Sequence, residues 1–163
     1  MPRYKLRTLL ILLAIGPPII WVGFRAVLVS RPPQTILSPA EFANLIASGN
    51  VIIHVDTDWS IQAAASRPIV KRLQSRMAVD PRCSTIRWRR FECYDPSTLL
   101  WQALDDWLGN QLGDQQSVGR PVQSGYGSLI WVKDGRVVDS LAYSANEDAD
   151  ELFARTLIAF KEK

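Results

Sequence analysis

The sequence feature that most constrains the fold is a short apolar run in the middle of the chain, Val51-Ile52-Ile53-His54-Val55. A nearly continuous run of this length predicts a strand that is covered on both sides of a sheet. It leads into Asp56-Thr57-Asp58-Trp59, after which a helix is predicted from Ser60 to Met77 with a bend at Pro68. A doubly covered strand followed directly by a helix is typical of α/β proteins.

The rest of the chain shows alternating helices and strands with signals at their ends. Ser38 and Glu41 form a capping box around Pro39, which predicts the start of a helix. Lys133-Asp134-Gly135 is a strong hairpin turn signal. Besides the central strand and its helix, the predicted elements are a helix over 39–48, a strand over Thr85–Cys93, a helix from Asp95-Pro96 that turns Leu100, Leu104, Trp107 and Leu108 inward, a long loop over 109–125, strands Leu129–Val132 and Arg136–Leu141, and a last helix over 147–160. The predicted order is α-β-α-β-α-β-β-α.

Residues 9–29 form an apolar segment whose only charge is Arg25. About 20 helical residues cross the ~30 Å hydrocarbon core of a bilayer, so the segment is predicted to be an uncleaved transmembrane signal-anchor with membrane lipid as its partner. The competing interpretation is a cleaved signal peptide, in which the small residues Ala14 and Gly16 have the spacing that a signal peptidase prefers. Pro17 would then follow the cleavage site. The predicted division is a basic flank over 1–8, the anchor over 9–29, a linker over 30–37 and a folded domain over 38–163.

Basic and acidic residues are unevenly distributed along the chain. Of the 19 Lys and Arg, five lie in the first 31 residues, where there is no acid, so the remainder carries 14 bases against 16 acids. A slightly acidic domain argues against nucleic acid as a partner, because phosphate contacts need a cationic surface. Three bases precede the apolar segment and two lie at its far end, which favours an N-terminus on the cytoplasmic side. We therefore expect a single-pass membrane protein whose domain is periplasmic or otherwise extracytoplasmic.

Three separated segments resemble the thioredoxin family. Residues 51–63 are similar to the family's central strand, its tryptophan and the Cys-Gly-Pro-Cys turn that opens a helix, and Pro68 lies where the family has its helix-kinking proline. Residues 128–135, Ser-Leu-Ile-Trp-Val-Lys-Asp-Gly, resemble the family's Thr-Leu-Leu-Leu-Phe-Lys-Asn-Gly hairpin. The resemblance covers roughly residues 38–160, apart from the long loop. It implies an α/β fold, a thioredoxin-like three-layer α/β/α sandwich with a central mixed sheet, here preceded by one N-terminal transmembrane helix.

The departures from the family concern its chemistry. Ser60 and Ala63 stand in the positions of the two cysteines. Disulfide exchange needs a thiolate at the helix N-terminus and a second cysteine that resolves the mixed disulfide, and neither a hydroxyl nor a methyl group supplies this. Gly127 stands in the place of the family's cis-proline, and His54 in that of its buried acid. A disulfide oxidoreductase is therefore not expected.

The leading hypothesis is a binding or scaffolding module whose partner is a protein or an extended peptide. By the resemblance, Trp59 is exposed beside the former active site, and the candidate groove consists of Trp59, Ser60, Ile61, Gln62, Tyr126 and Gly127. One alternative is an enzyme of the thioredoxin fold in which Ser60 acts on glutathione or a related thiol, since helix N-termini favour anions. Another is a structural subunit of a membrane assembly.

Eight of the domain's 14 basic residues lie between positions 67 and 90. One interpretation is a solvated helix face together with an edge strand protected by charge. The other is a surface that binds anionic lipid headgroups or an acidic partner. The candidate basic face consists of Lys71, Arg72, Arg76, Arg87, Arg89 and Arg90.

Cys83 and Cys93 are the only cysteines, and His54 is the only histidine. One strand between the two cysteines would hold their Cα atoms ~33 Å apart, far beyond the ~7 Å limit for a disulfide, so both are predicted to be free unless the chain reverses within 84–92. His54 lies in an apolar strand and is predicted to be a core residue with hydrogen-bond partners. No metal or other cofactor is predicted.

Overall fold

A five-stranded mixed sheet organises the part of the chain that the computed structural model describes, which is residues 34–92, 98–112 and 127–161, apart from the side chain of Leu112. The strand order is β1-β3-β2-β4-β5. β3 is parallel to both β1 and β2, whereas β4 is antiparallel to β2 and to β5. The strands are β1 (Gln34–Thr35), β2 (Asn50–Asp56), β3 (Arg87–Glu92), β4 (Ser128–Lys133) and β5 (Arg136–Leu141).

Two layers of helices cover this sheet. α1 and α3 pack on one side, and α2 and α4 pack on the other, each pair closing its own apolar core. Short 3-10 turns precede β3 at Pro81–Cys83 and α4 at Ser144–Asn146. The helices are α1 (Pro39–Ile46), α2 (Ile61–Val79), α3 (Leu99–Leu112) and α4 (Ala149–Ala159).

The central strand is covered on both sides, as its apolar run predicts. All residues of β2 from Val51 to Asp56 are buried. Val51, Ile53 and Val55 belong to the core under α1 and α3, while Ile52 packs under α2 and α4. The alternation of a strand therefore turns His54 and Asp56 toward α2. The hairpin prediction is confirmed as well, with Asp134 and Gly135 both at positive φ in the turn between β4 and β5.

Several of the predicted boundaries are wrong. α1 ends at Ile46 and not at residue 48, and β3 begins at Arg87 and not at Thr85. α3 continues to Leu112, so residues 109–112 are helical and do not belong to the loop. Gly109 is exposed, and a glycine there costs the helix only about 1 kcal/mol relative to alanine, which is too little to end it. The last helix begins at Ala149, where the Asp148 side chain accepts a hydrogen bond from the Asp150 N–H at 2.6 Å. Asp95-Pro96 and the rest of the predicted loop, 113–125, lie outside the described residues.

Cys83 is buried among the residues that pack under α2 and is free. Cys93 lies outside the described residues, as does the predicted anchor over 9–29. None of the helices in the described ranges combines the length and the apolar character that a membrane crossing requires.

One buried hydrogen bond joins the sheet to α4. The indole of Trp131 is fully buried in β4 and donates from Nε1 to Thr156 Oγ1 at 3.0 Å. The Thr156 hydroxyl in turn donates to the Leu152 carbonyl at 2.8 Å. The Trp131 N–H thus has a hydrogen-bond acceptor inside an apolar layer, where a buried N–H without an acceptor would lower the stability of the fold.

The variant Thr156→Val is expected to lower the free energy of unfolding by ~1–3 kcal/mol, because it leaves the Trp131 N–H buried without an acceptor. Thr156→Ser keeps the hydroxyl and serves as the control, with a smaller loss. Urea denaturation followed by circular dichroism measures both. A valine variant as stable as the unchanged chain would contradict the importance of this bond.

Candidate functional site

The N-terminal end of α2 is closed by its own first residues. Ser60 is the N-cap, and its Oγ accepts a hydrogen bond from the Ala63 N–H at 3.2 Å. The same hydroxyl donates to Gln62 Oε1 at 3.1 Å. Ser60 is only 3% exposed and Ala63 is fully buried. The Ser60 hydroxyl therefore has both its donor and its acceptor function occupied, and it does not lie on the surface of the predicted groove.

Two large apolar side chains flank this buried serine and face solvent. Trp59 is 64% exposed and Ile61 is 83% exposed. Gln62 is exposed beside them. The exposure expected for Trp59 is thus observed, and Ile61, which also belongs to the predicted groove, is exposed beside it in the sequence. Exposed apolar side chains that together form a patch are candidates for binding a partner.

Gly127 lies against the first turns of α2. It is buried with φ +81°, and a Cβ added to it would lie 2.0 Å from Ser66 Oγ. Its carbonyl accepts a hydrogen bond from Ser144 Oγ at 2.7 Å. The structure therefore brings Gly127 next to α2, as the predicted groove requires. Tyr126, the other loop residue of that groove, lies outside the described residues, within which no peptide bond is cis.

An ion-pair network that the sequence analysis did not predict holds the turn before Trp59. Asp56 is 2% exposed, and its Oδ2 lies 3.1 Å from Arg67 Nε and 2.9 Å from Arg90 Nη2. Asp58 Oδ1 lies 3.0 Å from Arg67 Nη2 and 3.1 Å from Arg90 Nη2. Because Arg67 belongs to α2 and Arg90 to β3, the two guanidinium groups tie the turn to both of its neighbours.

The network has further contacts at each arginine. Arg67 Nη2 donates to the Thr57 carbonyl at 2.8 Å, and Arg90 Nη1 pairs with Glu92 Oε1 at 2.7 Å. A carboxylate buried this deeply needs such compensation, since an isolated buried ion costs several kcal/mol. The only sequence signal for the network is a pair of acids directly after a doubly covered strand, a place that sequence analysis assigns to a turn.

The six residues of the predicted basic face do not lie on one face. Arg87 Nη2 donates to the Leu45 carbonyl at 2.8 Å and also to the Ser48 carbonyl, so it satisfies the C-terminal end of α1. Arg89 Nη1 donates to the Trp88 carbonyl at 2.9 Å. Strand alternation sets these two on the α1 side of the sheet and Arg90 on the α2 side.

The three remaining basic residues lie on α2. Arg76 forms an ion pair with Asp150 of α4, and its guanidinium stacks 4.6 Å from the centre of the Phe153 ring. Lys71 and Arg72 are exposed. Basic residues that are clustered in the sequence thus have separate roles in the structure. Arg87 binds the end of α1, Arg76 pairs with α4, Arg90 belongs to the turn network, and Lys71 and Arg72 are solvated.

His54 is buried beside Asp56 and confirms the prediction of a core histidine. Its Nε2, however, has no hydrogen-bond partner within the described residues, so the predicted satisfaction is not observed at that atom. Burial lowers the pKa of His54 from 6.5 to about 4, against the opposing charge of Asp56 and with a smaller lowering by Arg90 and Arg67. In the described ranges no three His, Cys, Asp or Glu side chains are grouped to hold a metal ion.

The low pKa of His54 predicts a loss of stability in mild acid. Between pH 6.5 and about 4 the unfolded chain takes up a proton at this residue and the native chain does not. Stability is therefore lost as the pH falls through this interval, by ~3 kcal/mol if the whole shift is realised. Urea denaturation at pH 7 and at pH 4.5 measures the difference. His54→Leu is the control, and an equally steep pH dependence in that variant would contradict the assignment to His54.

Comparisons with known proteins find agreement in shape. No protein-family model matches the sequence, and no curated protein matches it either. Among solved structures, the thioredoxin of Aeropyrum pernix superposes with a TM-score of 0.53 at 17% identity, over 76% of this chain and 85% of its own. The described unit has a thioredoxin-like fold.

Two other thioredoxins are similar to this thioredoxin-like chain. Thioredoxin f2 of Chlamydomonas reinhardtii has a TM-score of 0.49 at 15% identity, covering 82% of this chain and all of its own. A variant thioredoxin of Halobacterium salinarum has a TM-score of 0.48 at 14% identity, covering 80% of this chain and 93% of its own. The likeness to the Aeropyrum pernix thioredoxin, at 17% identity, concerns the fold, and the prediction of a thioredoxin-like α/β fold is confirmed at that level.

Proposed function

We propose that this thioredoxin-like domain is a binding or scaffolding module without dithiol chemistry, held at a membrane by residues 9–29 and facing away from the cytoplasm. The observation that carries the proposal is the pair of exposed side chains, Trp59 and Ile61, around a buried serine whose hydroxyl is already engaged. The membrane part rests on the apolar run of the sequence, in which Arg25 is the single charge.

The position that would carry redox chemistry has neither the atoms nor the access for it. Ser60 and Ala63 have no sulfur, and both are buried. Cys83 lies in the core, where burial raises the pKa of its thiol, and a protonated buried thiol is a poor nucleophile. The same burial weighs against Ser60 as a glutathione ligand, because its oxygen already serves the helix N-terminus.

The exposed residues support an extended peptide with apolar side chains as the partner. Trp59 and Ile61 offer apolar surface, and tryptophan is among the residues that contribute most to binding interfaces. The amide oxygen of Gln62 accepts from Ser60, which leaves its N–H groups to donate to a peptide carbonyl. The arginines on Asp56 and Asp58 fix the turn in advance, so less ordering is needed on binding.

Site-specific photo-crosslinking tests the binding surface. A benzoylphenyl side chain is introduced at Ile61 or at Val79 of the full chain, and the cells that produce it are irradiated. Val79 is the matched control, since it is an exposed apolar residue at the other end of the same helix. We expect a discrete protein adduct from position 61, reduced at least several-fold by Trp59→Ala, and none from position 79. Equal adducts from both positions, or none from position 61, would contradict the proposal.

An insulin reduction assay tests the absence of dithiol chemistry. With dithiothreitol as reductant, the purified full chain is expected to leave the rate of insulin disulfide reduction at the value for dithiothreitol alone, because Ser60 and Ala63 cannot exchange a disulfide. The Aeropyrum pernix thioredoxin serves as the positive control. A faster reduction of insulin by this chain that disappears in the Cys83→Ala variant would contradict the assignment of a module without dithiol chemistry.

A further inference from the structure

A line of exposed residues runs along the outer side of α4 and just beyond its end. Glu151, Ala154 and Ile158 follow each other at intervals of three and four residues, which places them on one side of α4. Lys161 lies two residues beyond the end of the helix and lines the same part of the surface. Ile158, between Ala154 and Lys161, is 74% exposed. We call these four residues the α4 stripe. It has an acid at one end, a base at the other, and a small and a large apolar residue between them.

The α4 stripe borders an open groove of about 850 Å³ whose other wall is the edge strand β5. Val138 lines this groove and is 43% exposed. The pairing of β4 with β5 shifts between Trp131 and Val132, whose partners are Asp139 and Val137, so Val138 is the extra residue of a β-bulge. The bulge adds apolar surface to the groove and interrupts the regular edge at the same time.

The charges in the middle of the groove are satisfied within the chain. Arg155 pairs with Asp139 through Nε to Oδ2 at 2.5 Å and through Nη2 to Oδ1 at 2.7 Å, and it also donates to the Ser140 carbonyl. Glu151 and Lys161 form no ion pair with any residue of the described ranges. The groove therefore presents apolar surface in its centre and one unpaired charge of each sign at its two ends.

We propose that the α4 stripe and Val138 are the contact surface of a homodimer in which a second copy packs antiparallel across a two-fold axis beside Thr156. In an antiparallel pair centred there, Glu151 faces Lys161 of the second copy, and Ala154 faces Ile158 of the second copy. The large residue of each copy thus meets the small residue of the other, as ridge-into-groove packing requires. This inference does not depend on the proposed function of the α2 surface.

The arrangement of charges favours a second copy over other occupants. A two-fold interface must be self-complementary, and a stripe with opposite charges at its ends meets this condition. A uniformly acidic or basic partner would meet a like charge at one end of the groove. An added strand would have to pair with β5 at a bulge, where the hydrogen-bond ladder is disrupted.

The test is a charge exchange measured by sedimentation equilibrium of the full chain in density-matched detergent. The unchanged chain is expected to form a dimer that dissociates on dilution. Glu151→Lys converts both intermolecular pairs into repulsions, so the dissociation constant is expected to rise about tenfold, which corresponds to ~1.4 kcal/mol. The double variant Glu151→Lys, Lys161→Glu restores the pairs and is expected to return the constant to within about threefold of the original value.

Two further variants separate the surface from general effects of charge. Asp106→Lys makes the same charge change on the exposed side of α3 and is expected to leave the dimer unchanged. Ile158→Asp places a charge at the centre of the contact and is expected to abolish the dimer. A chain that is monomeric at every concentration, or a dimer that Glu151→Lys and Ile158→Asp leave intact, would overturn the proposal.

Discussion

The carboxylate of Asp56 is buried at the end of the central strand, and its charge has to be balanced there. Without partners it would cost several kcal/mol. Arg67 of α2 and Arg90 of β3 supply the balance, and each also reaches Asp58 in the next turn. The Asp56 carboxylate thereby holds β2 next to α2 and fixes the turn from which Trp59 projects. The surface that we propose to bind a partner depends on this network.

The sequence predicts those parts of the fold that follow from local pattern. The doubly covered strand β2, the Asp134-Gly135 turn and the cap at Ser38 are of this kind, because a few neighbouring residues decide each of them. The network at Asp56 could not be predicted, since it joins residues 11 and 34 positions apart through tertiary packing. Pairing of this sort leaves no periodic signal in the sequence.

The basic residues between 67 and 90 illustrate a second limit. Arg89 and Arg90 are neighbours in the sequence, yet the pleat sends their side chains to opposite sides of the sheet. Arg89 donates to a backbone carbonyl, whereas Arg90 pairs with the carboxylates of the turn. Charge density along a chain therefore indicates a surface only when the residues belong to one helix face or one strand face. Ser60 shows a related limit. Its position in the thioredoxin-like motif suggests an accessible side chain, but its hydroxyl caps α2 and is buried.

The contact between Gly127 and Ser66 restricts which residues can occupy position 127. A proline at position 127 would meet two obstacles, since its ring fixes φ near −65° while the backbone here is at +81°, and Ser66 fills the space beside the α-carbon. A proline at this position would thus need a new loop conformation and a smaller or displaced residue 66 at the same time. Either change alone leaves the other obstacle in place. The packing of this loop therefore couples the identity of residue 127 to that of residue 66, so the two positions can only change together.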